Sequence, residues 1–103
     1  MNERLSLQEL GDRIREVAPW QEHSGALRLE CRLRGFPEAI TFVNRVAELA
    51  EGANHHPDIS IRWNRVILDL TTHSAGGLTT KDFSLAAKIL DAARVCGAEF
   101  VVT

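Results

Sequence analysis

Apolar residues recur at Leu7, Leu10, Ile14 and Val17, the three-and-four spacing that lines one side of a helix. Ser6 with Glu9 three residues on forms a capping box at its start, in which each side chain satisfies the other residue's orphan amide. Pro19 cannot continue that helix, Trp20 to His23 reads as extended, and Ser24-Gly25 reads as a turn. From Leu27 the period changes. Leu27, Leu29, Cys31 and Leu33 alternate with Arg28, Glu30 and Arg32, which predicts a strand with one dry face and one wet face. One-sided strands of this kind pair antiparallel, because parallel strands are usually apolar on both faces.

A second helix is expected from Pro37 to about Glu51, with Phe36, Ala39, Ile40, Val43, Val46, Ala47 and Ala50 as its apolar stripe and Gly52 as its stop. Two alternating segments follow, Ile59 to Trp63 and Val66 to Thr72. A third helix opens at Thr79, where Asp82 completes another capping box, and runs to about Cys96 with Phe83, Ala86, Leu90 and Ala93 on one side. Glu99 to Val102 fits a short edge strand or a docked tail. Three amphipathic helices can each bury a stripe by sharing one face of a sheet. The expected fold is therefore α+β, a four-stranded antiparallel sheet with three helices on one face, and residues 1–103 form a single domain.

A two-residue turn at Asn64-Arg65 would pair Trp63 with Val66, Ile61 with Leu68 and Ile59 with Leu70, making all six core-side positions apolar. On the other face Arg62, Ser60 and Asp58 would oppose Ile67, Asp69 and Thr71. Extending that ladder sets His56 opposite His73, with Cβ atoms roughly 4.5 to 5.5 Å apart, and His55 adjacent. Pro57 can break the ladder there, so the pairing is firmest between Ile59 and Leu70.

Composition narrows the functional classes. Twelve Lys and Arg against fourteen Asp and Glu give a net charge of -2, which argues against a nucleic-acid or anionic-membrane surface. With 45% hydrophobic and 25% charged residues the chain falls in the globular range. No apolar run approaches the roughly 20 residues that span a bilayer. The opening MNERLSLQEL also lacks the apolar region of a signal peptide, so a cytoplasmic protein is expected. Neither Cys31 nor Cys96 belongs to a CxxC pair, and both sit among apolar residues as buried free thiols would.

Chemistry is concentrated in the histidines. Isolated loop histidines are ordinary, but three that converge must tolerate mutual repulsion when protonated. Zinc held by three imidazoles is one use, although the spacing matches no ligand pattern and adjacent His55 and His56 tend to diverge. Acid–base catalysis is another, because an unperturbed imidazole titrates near neutral pH. Two carboxylates accompany them. Glu51 stands in the last helical turn, where the macrodipole disfavours an anion, and Asp82 is already accounted for by capping. Trp20 fits core packing opposite Leu29 more naturally than the lining of a pocket.

Glu51, His55-His56-Pro57, Trp63, His73 and Asp82 together make seven specified positions over thirty-two residues. With NHHPDISIRWNRV and TTHSAGGLT around them, they resemble the signature of the pterin-4a-carbinolamine dehydratase family, across roughly Phe36 to Ala93. Trp20 also resembles the aromatic near that family's first strand, whereas Pro19 replaces a common glycine and Ile59 a common aromatic. The resemblance implies a four-stranded antiparallel sheet covered by three helices. It implies a lyase that dehydrates 4a-hydroxytetrahydrobiopterin to the quinonoid dihydropterin in tetrahydrobiopterin recycling, with no metal or organic cofactor. On that pattern His55, His56 and His73 surround the pterin, two of them acting as acid and base. Glu51 and Asp82 orient the imidazoles or favour their charged form, and Trp20 is a weaker candidate for the pocket wall. Relatives commonly form homodimers or homotetramers. Some act instead as dimerisation partners of a transcription factor or as assembly factors, so a non-catalytic binding module is the alternative.

Overall fold

Ser6 opens helix α1 (Leu7–Glu16) with the expected capping box, Ser6 Oγ accepting the Glu9 N–H at 3.2 Å and Glu9 Oε1 accepting the Ser6 N–H at 3.0 Å. Leu10 and Ile14 pack on the core while Leu7 is exposed, so the stripe is shorter than its spacing suggests. These and all following features come from a computed structural model that describes residues 3–102. Strands β1 (Gln21–His23) and β2 (Ala26–Arg32) are joined at Ser24 (φ 52°) and Gly25 (φ 81°). Two successive positive φ values suit the twist of a two-residue hairpin.

Helix α2 (Phe36–Ala53) runs past Gly52, which was expected to stop it. The stop is Asn54, in the left-handed conformation at φ 50° and ψ 45°; Asn tolerates this region because its short polar side chain can bond locally. Its buried residues are Ala39, Phe42, Val46 and Ala50. Phe36 and Ala47, expected in the stripe, are exposed, and Phe42, outside that stripe, is fully buried.

Strands β3 (Asp58–Arg62) and β4 (Arg65–Leu70) form the anticipated hairpin, but its register is displaced by two residues. Ile61 faces Val66, Ile59 faces Leu68, and the turn is Trp63-Asn64. Tertiary contact explains the shift. Asn64 is buried, its Nδ2 donating to the Leu33 carbonyl at 3.0 Å while its own carbonyl accepts the Leu33 N–H at 2.8 Å. With Asn64 docked on the end of β2, the left-handed φ of 57° falls to Trp63, not to Asn64. A displacement of two keeps each side chain on its face. Coverage, however, is unequal. Val66, Leu68 and Leu70 are fully buried, whereas Ile59 and Ile61 on the edge strand are partly open and Trp63 is 70% exposed.

A single 3₁₀ turn (His73–Ala75) leads to α3 (Thr80–Val95), and β5 (Glu99–Val101) ends the described chain as the edge strand anticipated there. The strands are ordered β1-β2-β4-β3, all antiparallel. β5 is a fifth strand, which shares with β1 the outer edge of β2. Leu27, Leu29 and Cys31 of β2 join Val66, Leu68 and Leu70 of β4 in one core with Phe42, Val46, Leu85 and Ile89 of the helices. The opposite face is ionic: Arg28 grips its partner Asp69 with two hydrogen bonds at 2.9 and 3.1 Å, and Arg65 pairs with Glu30. Burial pushes the Cys31 thiol up to about 12, with a smaller contribution from the nearby Glu30 charge. Cys96 is only half-buried.

Candidate active site

The end of α2 aims the first histidine. Asn54 turns the chain out of the helix, and the His55 N–H returns to the Ala50 carbonyl at 3.1 Å, the closing bond of a left-handed helix stop. His55 is thereby buried, with Nε2 2.6 Å from Asp82 Oδ1. Asp82 has no exposed surface. Its other oxygen, Oδ2, accepts the Thr72 hydroxyl at 2.7 Å and the Thr79 N–H at 2.9 Å. Two donors on one oxygen of a buried carboxylate, with the imidazole on the other, suit an ionised group in a low-dielectric setting. An ionised carboxylate can only accept, so the proton at the His55–Asp82 contact belongs to His55 Nε2.

Nδ1 is then the free edge of the ring. Among the described residues no buried side-chain nitrogen or oxygen lacks a partner, and Nδ1 bonds nothing, so it reaches the surface. As a neutral imidazole this atom offers a lone pair; as an imidazolium it offers a proton. Beside the ring lies an open recess of about 190 Å³, with Ala53, Lys81, Ser84 and Lys88 among its lining residues.

His56 is exposed and pairs differently, Nε2 standing 2.5 Å from Glu51 Oε2 across the last turn of α2. Water screens such a pair, which makes it a means of orienting a ring more than of holding the fold. Glu51, unfavourable for the helix end by itself, therefore has a partner beyond that end. His73 occupies the 3₁₀ turn, exposed, and its ring takes no hydrogen bond among the described residues. The expected ladder contact of His56 with His73 is not formed: β3 and β4 pair only as far as Asp58 and Asp69, and their actual register points His56 toward Thr71. His73 is instead joined to the His55–Asp82 pair through its chain neighbour Thr72. Among the described residues no three His, Cys, Asp or Glu side chains gather as metal ligands.

Trp20 is placed in the core. It is 1% exposed, and its Nε1–H donates to the Ala86 carbonyl at 3.0 Å, leaving no ring face open to a ligand. Sequence reasoning read Thr79 only as a helix cap and passed over Thr72, whose hydroxyl lies 2.9 Å from that of Thr79 behind Asp82. Their signal is faint, two buried threonines in the polar stretch TTHSAGGLTT.

The site thus combines a buried Asp–His pair, a second carboxylate–His pair and a third histidine on an adjoining loop of an α+β domain. Comparison with known proteins gives the family. The family model described as pterin 4 alpha carbinolamine dehydratase matches residues 3–92, and the chain belongs to that family. A protein of Roseiflexus sp. strain RS-1, named provisionally as a pterin-4-alpha-carbinolamine dehydratase, is 52% identical over 89 residues, covering 86% of this chain and 96% of its own. A similarly named protein of Chloroflexus aurantiacus is 54% identical over 86 residues, covering 84% and 92%. Among solved structures, a transcriptional coactivator/pterin dehydratase from Brucella melitensis superposes with a TM-score of 0.85 at 31% identity, over 88% of this chain and 99% of that one. A pterin dehydratase-like RuBisCO assembly factor of the alpha-carboxysome shares the fold, with a TM-score of 0.61 at 19% identity over 72% of this chain and 88% of its own.

Proposed function

We propose that the protein dehydrates 4a-hydroxytetrahydropterin to the quinonoid dihydropterin in the recycling of tetrahydrobiopterin, by acid–base catalysis from its histidines. The reaction removes the hydroxyl from carbon 4a and a proton from a ring nitrogen. The nitrogen's electron pair forms the new C=N bond, and hydroxyl plus proton depart as water. Hydroxide is a poor leaving group, so one imidazolium protonates it as the bond breaks while one neutral imidazole receives the nitrogen's proton. Positioned acids and bases of this kind each contribute roughly 10² to 10⁴ in rate.

The observation that carries the reading is the buried His55–Asp82 contact at 2.6 Å, which leaves Nδ1 as the working edge of the ring. His56, oriented by Glu51, and His73 supply the remaining proton-transfer and binding groups. The reaction calls on no metal or organic cofactor. Self-association of the chain into a homodimer or homotetramer is supported by the free edge of β3 and by the partly open Ile59 and Ile61 there.

The alternative, a binding or assembly module without catalysis, draws on the exposed Trp63 and on the similarity to the Brucella protein described as a transcriptional coactivator/pterin dehydratase. The absorbance of chemically generated 4a-hydroxytetrahydropterin separates the two. Acceleration over the spontaneous decay, lost in His73→Ala without a change in melting, is the expected result. A decay no faster than in buffer favours the module.

A further inference from the structure

Thr72 stands at a junction that neither capping nor the histidine pattern requires. Its backbone closes a loop: N–H to the Gly77 carbonyl and Gly77 N–H back to the Thr72 carbonyl, both at 3.3 Å, enclose the turn that bears His73. Its side chain faces the other way. The hydroxyl donates to Asp82 Oδ2 at 2.7 Å and lies 2.9 Å from Thr79 Oγ1. A hydroxyl has one proton to give, and a carboxylate cannot give one back. The Thr72 proton is therefore committed to Asp82, and Thr79 must turn its own proton toward Thr72. Thr79 Oγ1 in turn accepts the Lys81 N–H at 3.2 Å. The polarity of the whole chain is thus determined, running Thr79 to Thr72 to Asp82, with His55 donating from the far side. Two donors, Thr72 O–H and Thr79 N–H, fill Oδ2 and leave Oδ1 for His55.

We infer that Thr72 is a positioning residue for the proposed dehydration. It locks the rotation of Asp82, and with it the orientation of the His55 ring, while holding the His73 turn to the same anchor. This rests on the acid–base reading of His55. A merely structural Thr72 would be a buried hydroxyl that has found partners, and its loss would lower stability without loosening the His55 ring.

Thr72→Val keeps the shape and removes the donor; Thr72→Ser keeps the donor and removes a methyl group. The expected result is a kcat for pterin carbinolamine dehydration reduced by roughly 10- to 100-fold in Thr72→Val, the loss of one hydrogen bond to a charged group. KM should stay within about twofold, and kcat should recover in Thr72→Ser. The ¹⁵N resonances of the His55 ring, read without substrate, should shift and broaden in Thr72→Val as the ring loses its single orientation, and return to the wild-type values in Thr72→Ser. Unchanged ring shifts in Thr72→Val, or equal loss of kcat in a folded Thr72→Ser, would overturn the inference. A wild-type protein that fails to dehydrate the pterin rejects the proposed function, and the ring shifts then still decide whether Thr72 positions the His55 ring.

Discussion

Replacing Asp82 by Asn is the sharpest single perturbation of this site. The carboxylate accepts three hydrogen bonds, at 2.6 Å from His55, 2.7 Å from Thr72 and 2.9 Å from Thr79. An amide of the same shape brings one oxygen and one NH₂ group. If the oxygen takes the Oδ2 position, the bonds from Thr72 and Thr79 survive and the NH₂ faces His55. Turned the other way, it abandons two donors to keep one, so the first arrangement wins. A donor then opposes His55 Nε2, and the imidazole must move its proton to Nδ1 to accept. One charge-assisted bond is lost, a cost of about 1.5 to 3 kcal/mol. In a domain of this size that lowers the melting temperature by on the order of 10 °C. The effect on catalysis is larger, because Nδ1 can no longer act as base. Dehydration should fall by roughly 10² to 10⁴. Absorbance of the carbinolamine and ¹⁵N spectra of the ring read the two consequences separately. Turnover at the wild-type rate, or a His55 ring that keeps its proton on Nε2, would refute the reasoning.

Other consequences follow from the packing and the titrating groups. Trp20→Phe removes the indole hydrogen bond to the Ala86 carbonyl and leaves a smaller ring in the core, and should cost about 1 to 3 kcal/mol in urea unfolding, with the dehydration rate of the folded protein unchanged. Cys31 is fully buried with its thiol pushed up to about 12, whereas Cys96 is half-buried. At pH 8 a thiol reagent should label Cys96 alone, and both cysteines only in denaturant; prompt labelling of Cys31 would contradict its burial. Glu9 is held below its ordinary 4.5 by the Ser6 backbone N–H and then by the Ser6 hydroxyl. A depressed carboxylate stabilises the fold above its unfolded pKa and loses that contribution as pH falls through the folded value. The Ser6 and Glu9 amides should therefore lose protection as pH drops below 4.5, and Glu9→Gln should flatten that dependence.

Local signals in the chain carried most of the fold. Both capping boxes, Ser6 with Glu9 and Thr79 with Asp82, form as read, because each is settled within four residues. The alternation of β2 was equally direct, every second residue from Leu27 to Leu33 being buried. What failed to show was set by tertiary contact. Asn64-Arg65 read as the turn, but the bonds of Asn64 to Leu33 set the turn at Trp63-Asn64 and move the ladder by two. The expected meeting of His56 and His73 disappeared with it. His55 and Asp82 were both legible as candidates, but their contact joins positions twenty-seven residues apart, and Thr72 completes it from a third segment. No local spacing encodes that junction. Gly52 misled for a related reason: the helix end is decided by Asn54, whose conformation returns the His55 amide to Ala50.

The central claim is that His55, held through Nε2 by Asp82, moves a proton of the pterin. Glutamine at position 55 can keep an N–H directed at Asp82 but cannot take up or release a proton near neutral pH. The most direct measurement is the carbinolamine decay rate with His55→Gln beside wild type, with near-UV circular dichroism to check the fold. The account predicts native packing and a rate reduced by at least about 10²; a well-folded His55→Gln protein that dehydrates the pterin at the wild-type rate would contradict it.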